Sequence, residues 1–220
     1  MTIIMEMSNQ KIGTACNHDR EKYASRVMRL FDKYADIHGF IHGEQTFGFS
    51  SEVGKIVSEA DAAVDSGKSD VAFDALTGIT DVSGYIIVLC EDSYGYIGKV
   101  FEDCFKLWRK LASRHDLPED VKTEVFDFAM DRFRHKHLKN KGMHWEWMSI
   151  AVKLADTPDR LILAKREIAS ALEELSESMS LSQSDVLLKR DFEQIKSLES
   201  ELERDFEQIK SLESELDKKA

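Results

Sequence analysis

Residues 94–114 read YGYIGKVFEDCFKLWRKLASR, and this stretch decides the fold class. Apolar side chains recur in it at steps of three and four, and charged side chains occupy the opposite side of the helical wheel. Asp92 and Ser93 precede it and can cap a helix N-terminus. The stretch therefore predicts one long amphipathic helix that buries a single face. The buried set is Ile97, Val100, Phe101, Cys104, Phe105, Trp108 and Leu111.

Three further stripes of apolar residues at helical spacing precede residues 94–114. The first covers residues 23–38 and should end at Gly39, and a loop over residues 40–50 should follow it. The second covers residues 53–64, and the third covers residues 69–90. β-branched residues near the end of the third stripe also suit a strand. We favour a helix there, because the period continues and no second strand candidate exists to pair with it.

Three more helices are predicted downstream, over residues 118–133, 147–155 and 157–179. Two of them begin with proline at the first helical turn, where the missing N–H costs nothing. Thr157 stands before the second of these prolines as a capping residue. Consecutive helices with short connections imply antiparallel neighbours, so we expect either a helical bundle or a short α-solenoid of helical hairpins.

The C-terminus carries a tandem duplication. Residues 190–203 read RDFEQIKSLESELE and residues 204–217 read RDFEQIKSLESELD. Fourteen residues are two heptads, so apolar side chains return at a constant interval of seven. A second core position accompanies the regular apolar one in each heptad, and it alternates between phenylalanine and glutamate. The apolar seam of the helix is therefore imperfect. The regular positions are Leu181, Leu188, Ile195, Leu202, Ile209 and Leu216, and the alternating ones are Phe192, Glu199, Phe206 and Glu213.

Such a helix cannot bury its stripe against itself. It could be a solvated helix without a partner, it could form a weak homodimer, or it could dock on the body of its own chain. The predicted organisation is all-α: an N-terminal segment over residues 1–18, a helical body over residues 19–180, and a long amphipathic C-terminal helix over residues 181–220.

Composition and charge exclude several classes of function. A net charge of −11 repels a phosphate backbone, so the sequence predicts no nucleic-acid partner. The N-terminus lacks the pattern of a signal peptide, and the densest apolar run, residues 85–90, is too short to span a bilayer. Three cysteines without a CxxC pair favour a reducing compartment. We therefore predict a cytoplasmic protein that does not bind membranes.

Motifs for cofactors, metals and catalysis are absent from the sequence. His135 and His137 would point about 200° apart on a helix, and Cys16 with His18 makes only half of a zinc site. Gly95 and Gly98 follow no strand, so we interpret them as positions where helices approach closely. We predict no catalytic, cofactor or metal residues. An alternative is a metal-dependent or acid/base enzyme that uses His38, His42, Glu44 and Asp92.

Aromatic side chains supply candidates for an interaction surface. The sequence HWEW at residues 144–147 opens a helix, in which Trp147 belongs to the inward stripe and Trp145 lies partly outside it. An exposed tryptophan near the aromatic residues of the first loop could form a binding surface, and packing of both tryptophans in the core is the alternative. The seam of the C-terminal helix offers a second surface. The candidate interaction residues are Trp145, Trp147, Phe40, Phe47, Phe192, Ile195, Leu202, Phe206, Ile209 and Leu216.

The order of motifs over residues 34–148, about half of the chain, resembles a known family region. Gly39 to Ile41 reads GFI, and it is followed by EDSYGYIG from Glu91, LPED from Leu117 and HWEW from His144. This order resembles the uncharacterised bacterial α-helical repeat region found beside SWIM-type zinc fingers. The resemblance implies helical hairpins stacked into a curved surface with adaptor duties. It does not carry over zinc or DNA binding, because the zinc module is missing.

The sequence thus predicts a non-catalytic protein–protein interaction or adaptor protein whose partner it does not identify. Besides the enzyme, a second alternative is an acidic, inhibitor-type protein that binds a basic partner surface; the size, acidity and repeated tail of the chain suggest it.

Overall fold

The computed structural model describes residues 17–134, 144–181 and 186–217. Within these ranges the chain forms eight α-helices and no β-strand, so the predicted all-α class is confirmed. The helices are α1 Asn17–Tyr34, α2 Glu44–Asp65, α3 Ser69–Val88, α4 Tyr96–Ala112, α5 Glu119–Arg134, α6 His144–Lys153, α7 Pro158–Leu181 and α8 Val186–Asp217.

The helices group into two compact units, one that ends at Leu107 and one that begins at Trp108. The first unit contains α1 to α3, and the second contains α5 to α8. The division falls inside α4, whose apolar period continues through it. The boundary predicted between residues 180 and 181 rests on the start of the heptad pattern in the sequence and stays a prediction.

In the first unit, α3 packs against both α1 and α2, and α1 packs against α2. Their apolar faces form the core, with Val27, Val53 and Ile79 almost inaccessible to solvent. Gly78 lies where α3 crosses α1. A Cβ atom at this position would be 2.5 Å from the carbonyl oxygen of Arg20, so only glycine allows the two helices to approach this closely.

The connection between α1 and α2 differs from the prediction. α1 ends at Tyr34, before the predicted stop at Gly39, because Asp36 accepts hydrogen bonds from the backbone N–H groups of His38 and Phe40 and turns the chain. Gly39 has a φ of 80° in this turn. α2 begins at Glu44, so the second half of the predicted loop over residues 40–50 is helical.

α3 is the one helix within the described ranges that is long and apolar enough, by length and composition, to cross a membrane. It is also a core helix, and nine of its residues, from Ser69 to Ile86, are buried among its neighbours. Core helices of soluble proteins share this composition, so α3 is weak evidence for a membrane span.

The core of the second unit is built around aromatic rings. Trp108 stacks on Phe128 with centroids 5.1 Å apart, and Trp147 meets both rings edge-on at 5.7 and 5.6 Å. Trp147 is 1% exposed. Its place among the predicted interaction residues is therefore corrected: it is a core side chain, because it completes this cluster. α6, which carries it, packs against α5 and α7.

The C-terminal helix α8 docks on α7 and α6 of its own unit. Ile195, Leu198 and Leu202 of the first repeat copy are buried there, and Lys165 of α7 lies 3.5 Å from Glu203. Of the three alternatives for this helix, docking on the chain's own body is the one that the structure contains. Ile195 and Leu202 are thus corrected from candidate interaction residues to intramolecular packing residues.

Candidate protein-interaction surface

Exposed large apolar side chains are concentrated in one part of the first unit. Among the described residues, seven of the eight lie in two short segments, residues 37–47 and residues 85–96. Surface apolar side chains are normally scattered singly, so this concentration points to a binding surface. The seven are Ile37, Phe40, Phe47, Tyr85, Val88, Tyr94 and Tyr96, and the eighth is Ile162 in the second unit.

Backbone hydrogen bonds hold the two segments side by side. Ile41 donates its N–H to the carbonyl of Leu89 at 3.1 Å and accepts the N–H of Glu91 at 2.9 Å, which pairs it with Cys90 in an isolated parallel bridge. The Ile41 side chain is fully buried beneath this bridge. Ile41 and Cys90 are 49 positions apart in sequence, so the bridge creates a surface that neither segment has alone.

Three exposed rings form a continuous aromatic surface, which we define as Phe47, Tyr94 and Tyr96. The rings of Phe47 and Tyr96 meet edge-on with centroids 5.3 Å apart, and Tyr94 lies 5.8 Å from Tyr96. Phe47 is 60% exposed and Tyr94 is 68% exposed. These two rings therefore present a large apolar area to solvent while ring contacts fix their positions.

A capped turn positions the two tyrosines. Asp92 accepts hydrogen bonds from the N–H groups of Ile97 at 3.1 Å and Gly98 at 2.8 Å, which satisfies donors in the first turn of α4. Gly95 has a φ of 72°, a conformation that favours glycine, and its N–H bonds to the Asp92 carbonyl. The predicted capping role of Asp92 is confirmed. The prediction that Gly95 permits close helix approach is wrong, because no atom lies within 4 Å of a Cβ built there.

The surroundings of the aromatic surface are acidic. Residues 35–54 contain three carboxylates and residues 69–98 contain five, and neither range contains lysine or arginine. Of these eight, Glu52 is paired with Lys33, Asp81 is paired with Arg20, and Asp74 is buried, which leaves five. Glu44 is exposed and lies three residues before Phe47 in the sequence. Glu91 is exposed too and follows Cys90, the residue that the bridge pairs with Ile41. Carboxylates around an apolar surface bias it toward cationic partners.

His42 links the two segments electrostatically. Its Nδ1 lies 3.2 Å from a carboxylate oxygen of Glu91, and its Nε2 lies 3.2 Å from a carboxylate oxygen of Asp36. The hydrogen bond to Glu91, followed by the one to Asp36, raises the pKa of His42 above its ordinary value of 6.5. The imidazolium form donates to both carboxylates, so protonation strengthens the junction beside the bridge.

We expect the titration midpoint of His42, followed by NMR, to lie above 6.5 and to fall in Glu91→Gln and further in Asp36→Asn/Glu91→Gln. Because the pKa of His42 is higher in the folded state than in the unfolded state, protonation of His42 stabilises the fold. This stabilisation is fully present below the unfolded-state pKa and is lost as pH rises through the folded-state pKa. The junction should accordingly loosen as pH rises above 6.5. A midpoint that Glu91→Gln leaves unchanged would contradict the assigned hydrogen bond.

The predicted interaction residues separate into groups. Phe40 and Phe47 are exposed, and Phe40 lies beside His42 with ring centroids 6.2 Å apart. Tyr94 and Tyr96 are exposed too, but sequence reasoning assigned YGYIG to a helical first turn and overlooked them. The signal that could have found them is the pair of tyrosines on either side of a glycine, just before the apolar stripe begins.

The remaining predicted residues lie in the second unit. Trp145 is partly buried, and its indole Nε1 has no hydrogen-bond acceptor within the described part of the chain. Phe192 and Phe206 are half-buried on α8. Lys196 Nζ lies 5.9 Å from the ring centroid of Phe192, and Lys165 Nζ lies 6.0 Å from that of Phe206. The side chains of Ile209 and Leu216 lie outside the described residues.

No hydrogen bond or ion pair joins any two of the four residues of the alternative enzyme site, which are His38, His42, Glu44 and Asp92. His42 contacts Asp36 and Glu91, and both oxygens of Asp92 are bound to the backbone of α4. Among the described residues, no group of three or more histidine, cysteine, aspartate or glutamate side chains is arranged to hold a metal ion. Cys16, His18, His135 and His137, considered as metal ligands from the sequence, have side chains outside the described part of the chain.

Two described cysteines carry free thiols. Burial raises the pKa of the Cys104 thiol to about 12, and burial with the nearby Asp92 charge raises the pKa of Cys90 to about 11. Both thiols are therefore protonated at neutral pH and react slowly as nucleophiles.

Comparison of the chain with protein-family models, with curated proteins and with solved structures finds no match.

Proposed function

We propose that the chain is a non-catalytic protein-interaction protein whose first unit binds a protein partner through the aromatic surface. The observation that carries the proposal is the concentration of seven of eight exposed large apolar side chains in the two bridged segments. Tyrosine and phenylalanine are enriched at the centres of protein interfaces, where rigid rings bury much area at small entropic cost.

The local order of the surface favours binding. The Ile41–Cys90 bridge, the Asp92 cap and the contact between Phe47 and Tyr96 hold the rings in place before any partner arrives. Preorganised side chains lose less conformational entropy on association, so more of the contact energy is available as affinity. The helical scaffold and the resemblance to an adaptor region agree with this function.

The cytoplasm is the proposed compartment. Free thiols at Cys90 and Cys104 suit a reducing environment, in which they stay unpaired.

Quantitative capture from the native host tests the proposal. The tagged full chain is compared with Phe47→Ser/Tyr94→Ser and with Ile162→Ser, which removes the one exposed large apolar side chain among the described residues of the second unit. We expect a partner at near-stoichiometric amounts with the wild type and with Ile162→Ser, and its loss with the double variant. Equal recovery by all three chains would overturn the proposal, provided circular dichroism shows all three folded.

A further inference from the structure

We infer that the partner of the aromatic surface is a basic protein segment whose arginine or lysine side chains lie against Phe47, Tyr94 and Tyr96. The inference rests on the proposed function and adds the chemistry of the partner. Two independent observations meet here: exposed aromatic side chains, and carboxylates in neighbouring sequence that contains no lysine or arginine over residues 35–54 and 69–98.

Neighbouring cations of the chain itself do not occupy the rings. Lys33, just before the first segment, binds Glu52 at 3.1 Å and lies above the ring of Tyr34. Lys99, just after the second segment, binds Asp103 at 3.0 Å. Lys33 and Lys99 are thus each paired with a carboxylate, and the exposed carboxylate of Glu91 shares a single histidine with Asp36.

Aromatic faces and carboxylates together are the surroundings that a guanidinium or ammonium group prefers. A cation above an exposed ring gains roughly a two- to fivefold increase in affinity per contact, and arginine also stacks its planar group on the ring. The tyrosine hydroxyls and the nearby carboxylates can accept its hydrogen bonds. Two or three such contacts would make a moderately tight, salt-sensitive complex.

Charge excludes the other occupants of this surface. Nucleic acid and anionic lipid would bring phosphates to a surface whose two segments carry carboxylates and contain no lysine or arginine. A second copy of this chain would bring a net charge of −11 and the same acidic segments. The acidic repeat of another molecule would be repelled for the same reason. A basic protein segment is the occupant that relieves the excess of negative charge.

The test uses the full chain and two labelled peptides of about 12 residues, which differ only in carrying four arginines or four citrullines, the neutral isostere. We expect saturable binding of the arginine peptide, at least about tenfold weaker binding of the citrulline peptide, and backbone NMR shifts centred on residues 40–47 and 91–98. Phe47→Ser/Tyr94→Ser should weaken arginine-peptide binding about tenfold, whereas Ile162→Ser should not change it.

The outcomes separate this inference from the proposed function. Equal affinity for the arginine and citrulline peptides, or arginine-peptide shifts confined to the second unit, would overturn the inference. A host partner that depends on Phe47 and Tyr94 but contacts them through a neutral or acidic segment would also overturn it, while the proposed function would stand. If the host partner too were indifferent to Phe47→Ser/Tyr94→Ser, both would fail.

Discussion

Replacement of Gly78 by alanine is expected to lower the free energy of unfolding of the first unit by about 2 kcal/mol, and its Tm by roughly 8–16 °C. The added Cβ would lie 2.5 Å from the Arg20 carbonyl oxygen, 2.9 Å from Tyr23 Cβ and 3.0 Å from the Ala24 nitrogen. Two of these atoms belong to the backbone of α1, so no side-chain rotation can relieve the clash. α1 must move away from α3, and core packing between them is lost.

Gly84→Ala is the matched control in the same helix. A Cβ at Gly84 has no neighbour within 4 Å and the residue is exposed, so alanine should stabilise α3 by about 0.5–1 kcal/mol through its better helix propensity. Gly78→Ala gains the same propensity, so the difference between the two variants isolates the close approach of the helices. Chemical denaturation followed by circular dichroism measures both, and equal stability of the two variants would show that α1 and α3 are not in close contact.

The second large effect is expected at the C-terminal helix, where Ile195→Ala should cost about 2–4 kcal/mol in the stability of the second unit. Ile195 is fully buried between α8 and its neighbours, in line with Leu198 and Leu202. The truncation leaves a cavity in a helix pair that depends on this stripe. Thermal unfolding of the full chain measures the loss.

Deleting one copy of the repeat supplies the control for Ile195→Ala. Chains that lack residues 190–203 or residues 204–217 are identical except for aspartate or glutamate at one position. Lys165 lies beside Glu203, so an antiparallel α7 that begins at Pro158 reaches only to about residue 210 of α8. We expect each deletion to cost less than about 1 kcal/mol. A cost equal to that of Ile195→Ala would mean that the second copy is needed for docking.

Local signals in the sequence predict much of the fold. Asp92 and Thr157 accept hydrogen bonds from backbone N–H groups that lie only a few residues further along the chain. The starts of α4 and α7 can therefore be predicted from nearby sequence. α3 was predicted through Gly78 and Gly84 because its apolar period never breaks. The early end of α1 was missed, since the hydrogen bonds of Asp36 depend on a turn that periodicity does not reveal.

The candidate surface depends on contacts that periodicity cannot show. Ile41 meets Cys90 across 49 positions of sequence, and only this pairing brings Phe47 near Tyr96. Phe47 was predicted as an interaction residue from its place in a loop, although that part of the loop proved to be helical. Trp147 was assigned to both core and surface in the prediction, and its contacts with Trp108 and Phe128 decide for the core. Long-range pairing thus determines which aromatic side chains stay exposed.

The buried thiol of Cys104 provides a chemical probe of local opening around α4. The side chain is 4% exposed, and a disulfide reagent can attack it only after the surrounding helices separate and the thiol ionises. In a background with Cys16 and Cys90 replaced by serine, the labelling rate would report how often the Cys104 side chain becomes accessible in the absence of denaturant.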